Sequence, residues 1–383
     1  MSLDSWTFYN PVAIRFGSGC LVGQGAALPK GKALIVTTGG AVRRGTVERL
    51  LHDFGAPAEY EIEEGVTPNP EVGDLEQMRN RYYGEPISYI VALGGGSVMD
   101  SSKVLSVLLR CPRDFDLRGQ LKGLIPMPDV IPVPVYAIPT TAGTGAEVTP
   151  FATVWSAKEG KKFSFASPCL YPVAAWLDPR LTHSLSEDVT ISTGLDALSQ
   201  ALESIWNRNA NAYTRMLGGH AARLSFGALS QLSPFDPSTT HRQHLMEASL
   251  FAGLAISQTR TALCHSMSYP ITARFGLAHG YACSFMLPAV LRFNGEEDDR
   301  HLSITAKELG FHGISEFASR LATLLRDLKV ADRVRRHVPN YDSLFNLADE
   351  MITPGRTDNN LRAVSERNVQ SILRAAGQDL ELL

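Results

Sequence analysis

The sequence predicts an α/β domain built on a parallel, doubly wound sheet, followed by an all-α domain. Three observations carry this. Short apolar runs alternate with amphipathic stretches between residues 30 and about 180; two of those runs end in glycine- and hydroxyl-rich segments; and beyond about residue 184 the chain is rich in Ala, Leu, Ser and Gln at helical spacing, without long strands. Continuous apolar strands alternating with helices are what a sheet covered on both faces requires.

The elements follow in order. KALIVTT (32–38) reads as a buried strand, VRRGTVERLLHDFG as a helical stretch and AEYEIEEG as an edge strand. SYIVALGGG (88–96) and VPVYAIPTT (133–141) read as further buried strands. LDPRLTHSLS (177–186) has the composition of a boundary turn. Residues 1–183 are therefore the expected α/β domain and 184–383 the helical one, in which GLDALSQALESIW (194–206) and ISEFASRLATLLRDL are expected helices.

Composition narrows the function classes. A chain of 383 residues can bury two cores. With 44% apolar and 20% charged residues and a net charge of −3, it has no basic field for nucleic acid. No apolar run is long enough to span a bilayer, and the N-terminal stretch lacks the basic start and apolar core of a secretory signal; a cytoplasmic protein without a membrane partner is expected. The five cysteines are scattered and form no CxxC, against both a disulfide framework and a thiolate metal site. Cys264 and Cys283 read as small buried hydrophobes.

Three loops suit a dinucleotide. In LGGGSVMDSSK (93–103), Gly94, Gly95 and Gly96 clear the backbone, Ser97 can donate a hydrogen bond, and the following helix N-terminus favours a diphosphate. PTTAGTGAEVTP (139–150) offers hydroxyls and open backbone at a second strand end, the edge where open α/β sheets bind ligands. IVTTGGAVRRG (35–45) places Thr37 and Thr38 where a carboxylate often holds the adenosine 2′-hydroxyl, with Arg43 and Arg44 following; this is compatible with a 2′-phosphate, although a solvated first turn is the better account of either arginine.

A metal constellation stands in the second half. Asp196 and Gln200 are four apart on a predicted helix and share a face. His265 and His279 bracket HSMSYPITARFGLAH, a short segment in a chain with ten histidines. A carboxylate with two imidazoles leaves positions open for a substrate oxygen and suits Fe(II) or Zn(II).

Together GGGSVMDSSK, PTTAGTGAEVTP, GLDAL and HSMSYPITARFGLAHG, in that order, resemble the iron-containing (group III) alcohol dehydrogenase family; FYNPVAIRFGSG, VTPNP (66–70), the LDP turn and NNLR (359–362) extend the resemblance over essentially the whole chain. It implies a Rossmann-like domain with an all-α metal domain, the dehydroquinate synthase-like architecture, and hydride transfer between NAD(P)H and a metal-bound aldehyde or alcohol. The implied metal ligands are Asp196, His265 and His279, with Gln200 in place of a fourth histidine. His279 and Tyr269 are the implied catalytic residues, Tyr269 standing where relatives often carry histidine and able to donate a proton. Implied cofactor residues are Thr38, Asn69, Gly95, Gly96, Ser97, Asp100, Thr140, Thr141, Thr144, Thr149 and Lys162. Thr38 replaces the aspartate of NAD-preferring relatives and favours NADP(H) or dual use. Asp100 and Lys103 also admit plainer roles, as an N-terminal helix carboxylate and an exposed cation.

The helical-domain wording is most like the phosphonoacetaldehyde reductase branch, which implies a small anionic aldehyde as substrate and a homodimer or larger assembly. Arg208, Arg260 and Arg274 are the candidate cations for such an anion. Alternatives on the same fold are a maleylacetate reductase-like enzyme or another alcohol dehydrogenase; an alternative of another class is a metal-poor dinucleotide-binding protein.

Overall fold

Among the described residues eight strands form two sheets. They are β1 (Ala13–Phe16), β2 (Lys32–Val36), β3 (Glu59–Glu63), β4 (Ile87–Gly94), β5 (Val135–Pro139), β6 (Phe151–Ser156), β7 (Lys161–Ala166) and β8 (Ala174–Leu177). The structure, a computed structural model, describes residues 5–232, 238–297 and 299–383. It divides into two units: Asn10–Thr141 with Gly145–Ser184, and Leu185–Leu383 with the N-terminal residues to Tyr9 and Ala142–Thr144.

In the first unit six strands lie in the order β1-β8-β5-β4-β2-β3, every pairing parallel. The central strands β2, β4 and β5 are almost wholly apolar because both faces are covered. On one face Ala33, Ile35, Val91, Leu93 and Ile138 pack against Val47, Leu50 and Phe54. Phe54 meets Trp176 edge-on at 5.2 Å and Tyr136 stacks on Trp176 at 5.5 Å, which fixes β8 beside β5. The AEYEIEEG strand lies at the sheet edge as its mixed composition requires, with Tyr60 and Ile62 exposed. The helical stretch after β2 is broken rather than continuous. Gly45 takes φ 68° and separates the helix Gly39–Arg43 from the helix Thr46–Leu50. The antiparallel hairpin β6–β7 is an addition to the expected elements, and Ala152, Val154 and Phe165 bury its inner face against Val104, Val107 and Leu108.

The second unit is helical. Its centre is the helix Glu187–Ile205, opened by the Ser186 side chain accepting from Val189 N and by Glu187 and Asp188 in its first turn. The helices Ala212–Leu229 and Thr239–Thr259 begin with capping boxes at Asn211 and Ser238. From Thr190 onward nearly every side chain of the central helix is buried. Its polar members Asp196, Gln200 and Glu203 are therefore committed to interactions inside the unit. No helix among the described residues is long and apolar enough to cross a membrane.

Candidate metal centre and cofactor loops

HSMSYPITARFGLAH is a helix, a turn and a new helix. His265 lies in the helix Leu263–Phe275, which ends at Gly276 with φ 66°, the left-handed C-cap conformation that glycine takes without strain. The chain restarts at His279, first residue of the helix His279–Ser284. Gly280 then passes against the central helix. A Cβ there would lie 1.8 Å from the Ser192 carbonyl oxygen, so only glycine lets His279 come this close. Gly280→Ala is expected to force the two helices apart at a cost of roughly 1–3 kcal/mol. Thermal unfolding checks this, and an unchanged midpoint would mean the contact yields without loss.

The structure brings Asp196, His265 and His279 together. His265 Nε2 is 3.3 Å from Asp196 Oδ1, and the two imidazole rings stand 5.2 Å apart at 73°. Cys283, one turn beyond His279, joins them: one ligand atom from each of Asp196, His265, His279 and Cys283 lies within 4.8 Å of every other. Reading Cys283 as a plain hydrophobe overlooked this, although a His and a Cys at i, i+4 on a helix share a face.

Glu203 was also missed, and its signal was there: seven residues after Asp196, it returns to the same helical face. Its carboxylate is fully buried and accepts from Ala262 N at 2.8 Å, from His265 N at 3.2 Å and from His265 Nδ1 at 2.6 Å. The Nδ1 proton is thereby fixed, so that a neutral ring would present its Nε2 lone pair towards Asp196. Two acceptors facing each other in a buried place are unfavourable unless a cation lies between them. Gln200 Oε1, on the same face as Asp196, is buried and accepts no hydrogen bond. Burial would lower the His265 pKa, but Cys283, Glu203 and Asp196 outweigh it and raise it well above the ordinary value. A proton or a metal ion answers the same demand, and metal binding displaces the proton. The donor set of carboxylate and imidazole fits a divalent transition ion.

Tyr269 lies beside this group, its ring stacked at 6.4 Å from that of His279. Arg356 Nε donates to the Tyr269 hydroxyl at 3.1 Å. Arg356 had no sequence signal, since 87 positions separate it from Tyr269. Of the three expected cations, two are committed elsewhere: Arg274 pairs with Glu350, and exposed Arg208 donates to Leu361 O. Arg260 is different. It is half-buried, and burial together with neighbouring Arg356 lowers its pKa.

In the sheet unit Gly95, Gly96 and Ser97 follow the end of β4, and Thr140 and Thr141 follow the end of its neighbour β5. Gly94 closes β4 and accepts from Thr140 N, joining the GGGS and PTT loops. A Cβ on Gly95 would meet the Thr141 side chain at 3.1 Å, and Gly96 and Ser97 open the following helix. Asn69 takes φ 61° and its N–H donates to Ser97 Oγ at 3.2 Å. Asp100 accepts from Thr153 N, and Lys162 lies over the Trp155 ring. Thr38 caps the helix after β2 by accepting from Ala41 N. Thr144 stands apart, grouped with the helical unit, where a Cβ on Gly143 would lie 2.7 Å from Thr193 Cβ.

Lys103 is not the exposed cation that one reading allowed. It is buried, and Nζ donates to Thr149 Oγ1 at 3.0 Å and to Phe151 O at 2.9 Å. Desolvation lowers its pKa to about 8 despite Asp100 and Glu147. Desolvation likewise raises buried Glu147 from 4.5 to about 7, with its own backbone and Lys103 opposing. Between those two values the folded chain keeps a proton that the unfolded chain has lost, so stability falls as pH rises from 4.5 to 7. Glu147→Gln is expected to remove this decline, about 3 kcal/mol at most. Urea midpoints across that pH range test it, and equal slopes in the two proteins would refute it.

Comparison with known proteins identifies the family. Residues 11–179 match the family model described as iron-containing alcohol dehydrogenase, and residues 190–377 match the C-terminal model of the Fe-containing alcohol dehydrogenase family. Phosphonoacetaldehyde reductase of Streptomyces viridochromogenes is 41% identical over 207 residues; the match covers 53% of this chain and spans about half, 52%, of that relative's length. Lactaldehyde reductase of Escherichia coli K12 is 32% identical, covering 69% of each chain. The crystal structure of sulfoacetaldehyde reductase from Bifidobacterium kashiwanohense in complex with NAD+ superposes with a TM-score of 0.86 at 28% identity, over 97% of this chain and 98% of that one. The chain therefore belongs to the iron-containing alcohol dehydrogenase family, and is an alcohol dehydrogenase or aldehyde reductase of that type.

Proposed function

We propose that this enzyme interconverts a small anionic aldehyde and its primary alcohol with NAD(P)H, phosphonoacetaldehyde and 2-hydroxyethylphosphonate being the first pair to test. Asp196, His265 and His279 hold the metal, with Gln200 beside them. Asn69, Gly95, Gly96, Ser97, Asp100, Thr140, Thr141, Thr144, Thr149 and Lys162 serve the cofactor, and Thr38, which caps its helix where a ribose-binding carboxylate is expected, leaves room for NADP(H). The cofactor and metal domains of this reading are residues 1–183 and 184–383, except that the residues to Tyr9 and Ala142–Thr144 group with the helical unit.

The observation that carries the substrate reading is the backbone of Arg260. It takes φ 60° and ψ 179°, a region essentially reserved for glycine. The strain is held by hydrogen bonds: Arg260 N to Ile256 O, Asn207 Nδ2 and Thr259 Oγ1 to Arg260 O, and Asn359 Nδ2 to Thr261 O. A chain that tolerates roughly 1–3 kcal/mol of strain at one arginine has a use for its side chain there. The Arg356 charge acts on Arg260, Arg356 Nε donates to the Tyr269 hydroxyl, and the Tyr269 ring stacks on that of His279. A pair of guanidinium groups would suit a tetrahedral oxyanion, and that is the role this reading gives to Arg260 and Arg356. Two of the relatives are named for aldehydes carrying such a group, a phosphonate and a sulfonate.

When bound, the metal supplies Lewis acidity at the carbonyl oxygen and the nicotinamide supplies hydride. The chain's own residues do the rest. Glu203 keeps the His265 Nε2 lone pair aimed at the site. Arg260 and Arg356 orient the anionic end, so that the carbonyl is presented in one pose. Because Arg356 donates to the Tyr269 oxygen, the phenol keeps its own proton to donate as the alkoxide forms.

The test is kcat/KM for phosphonoacetaldehyde against an uncharged aldehyde of similar size, with NADH and NADPH, on protein whose metal has been quantified by elemental mass spectrometry. A preference of at least about tenfold for the anion, reduced in Arg356→Ala, supports the reading. Equal turnover of both aldehydes would remove the anionic substrate and leave a general aldehyde reductase. Metal-free protein that gains none on adding Fe(II) or Zn(II) would favour the metal-poor binding protein instead.

A further inference from the structure

The helix His279–Ser284 carries two side chains of a type that can bind metal, not one. Cys283 Sγ lies 3.6 Å from His279 Nε2 and 3.7 Å from Nδ1, and is fully buried. With Asp196, His265 and His279 it completes a four-atom group whose members all lie within 4.8 Å of one another. The second observation is independent of the cysteine. His265 Nε2, on a side chain 3% exposed, faces into this group without a hydrogen bond, its ring held by the Glu203 bond to Nδ1. A buried imidazole nitrogen locked in that direction is how proteins present a histidine to a metal.

From the convergence of Cys283 Sγ with Asp196, His265 and His279 around that lone pair, we infer that Cys283 is a metal ligand, and that its thiolate makes the site select zinc over iron. The inference rests on the reading of Asp196, His265 and His279 as ligands. On binding, the sulfur–metal bond forms as the thiol proton leaves to solvent, with no change of oxidation state. Gln200 competes for the same role with a hard amide oxygen. A carboxylate, two imidazoles and an amide would form an all-oxygen-and-nitrogen site, whereas a thiolate adds the soft donor that favours zinc. The four donors also come in pairs from opposing elements: Asp196 and His265 meet from two helices, while His279 and Cys283 lie one turn apart on a third.

Cobalt reports the ligand without reference to catalysis. The full-length protein is stripped of metal, loaded with Co(II), and its absorption recorded. The expected result is a near-ultraviolet sulfur-to-cobalt charge-transfer band that Cys283→Ser abolishes and Cys264→Ser retains. X-ray absorption of the zinc-loaded wild type should require one sulfur at about 2.3 Å alongside nitrogen or oxygen at about 2.0–2.2 Å. This measurement decides the matter even if Cys283→Ser does not fold. In a folded Cys283→Ser protein the zinc dissociation constant should rise at least about tenfold, with a smaller change for Fe(II). Cobalt bound without the charge-transfer band, or a zinc shell of nitrogen and oxygen alone, overturns the Cys283 assignment and leaves the other three ligands standing. A band lost in Cys264→Ser instead overturns it too. A wild type that binds neither cobalt nor zinc overturns both this inference and the ligand reading beneath it.

Discussion

Glu203→Ala is expected to cost the protein its metal and several kcal/mol of stability at once. The buried carboxylate satisfies three donors: two backbone N–H groups, of Ala262 and His265, and the His265 Nδ1 proton. Alanine leaves all three inside the helical unit without an acceptor, at about 1–3 kcal/mol each before any relaxation, so a total of roughly 3–5 kcal/mol is reasonable. Glu203→Gln separates the two effects. The glutamine nearly preserves shape and can still accept from the backbone through Oε1. Its amide group then faces His265 Nδ1 as a donor and drives the ring proton to Nε2, towards Asp196. The expected outcome is a modest stability loss with metal affinity down about 10–100-fold. Elemental analysis after dialysis and urea unfolding read the two quantities separately. Undiminished metal in Glu203→Gln would mean that His265 does not ligate through Nε2.

The same residue shows where sequence reading reaches its limit. Asp196, His265 and His279 were legible because their types are scarce in buried positions and their spacing fits helices. The strands were legible for a similar reason, since a sheet covered on both faces demands uninterrupted apolar runs. Glu203 and Cys283 obey the same helical periodicity as Asp196 and His279, but a lone Glu reads as surface charge and a lone Cys as core. Their meaning comes from what stands opposite, which spacing does not carry. Arg356 is further out of reach, because it meets Tyr269 across 87 residues of chain. Lys103 and Glu147 illustrate the converse. Both types are almost always exposed, and only the fold reveals them as buried beside Thr149 and one another. The hairpin β6–β7, with β6 buried at alternate positions and β7 buried only at Phe165, lacks the continuous apolar run that announced the other strands.

Arg260→Gly is expected to do what few substitutions in a site do: leave stability unchanged or raised by about 1 kcal/mol while sharply reducing activity on an anionic aldehyde. At φ 60° and ψ 179° any side chain is strained, and glycine removes roughly 1–3 kcal/mol of that strain. The gain is partly offset by the larger backbone entropy of glycine in the unfolded chain, about 0.5–1 kcal/mol. Arg260→Ala keeps the strain and loses the guanidinium, so it should be the less stable of the two variants. Function moves the other way. Charge-assisted hydrogen bonds to a phosphonate are worth about 1.5–3 kcal/mol, so kcat/KM for phosphonoacetaldehyde should fall about 10–100-fold in both variants. An uncharged aldehyde makes no such contact and should be turned over within about twofold of wild type. Thermal unfolding of the two variants, set beside kcat/KM for the two aldehydes, yields four comparisons that a purely structural arginine does not satisfy. If Arg260→Gly loses stability and both aldehydes suffer equally, the residue braces the turn between the helices Thr239–Thr259 and Leu263–Phe275, and the anion cradle is wrong. If only the anionic aldehyde suffers and the glycine variant is the more stable, the strain at this turn is what the chain bears to place one positive charge where the Arg356 charge is felt.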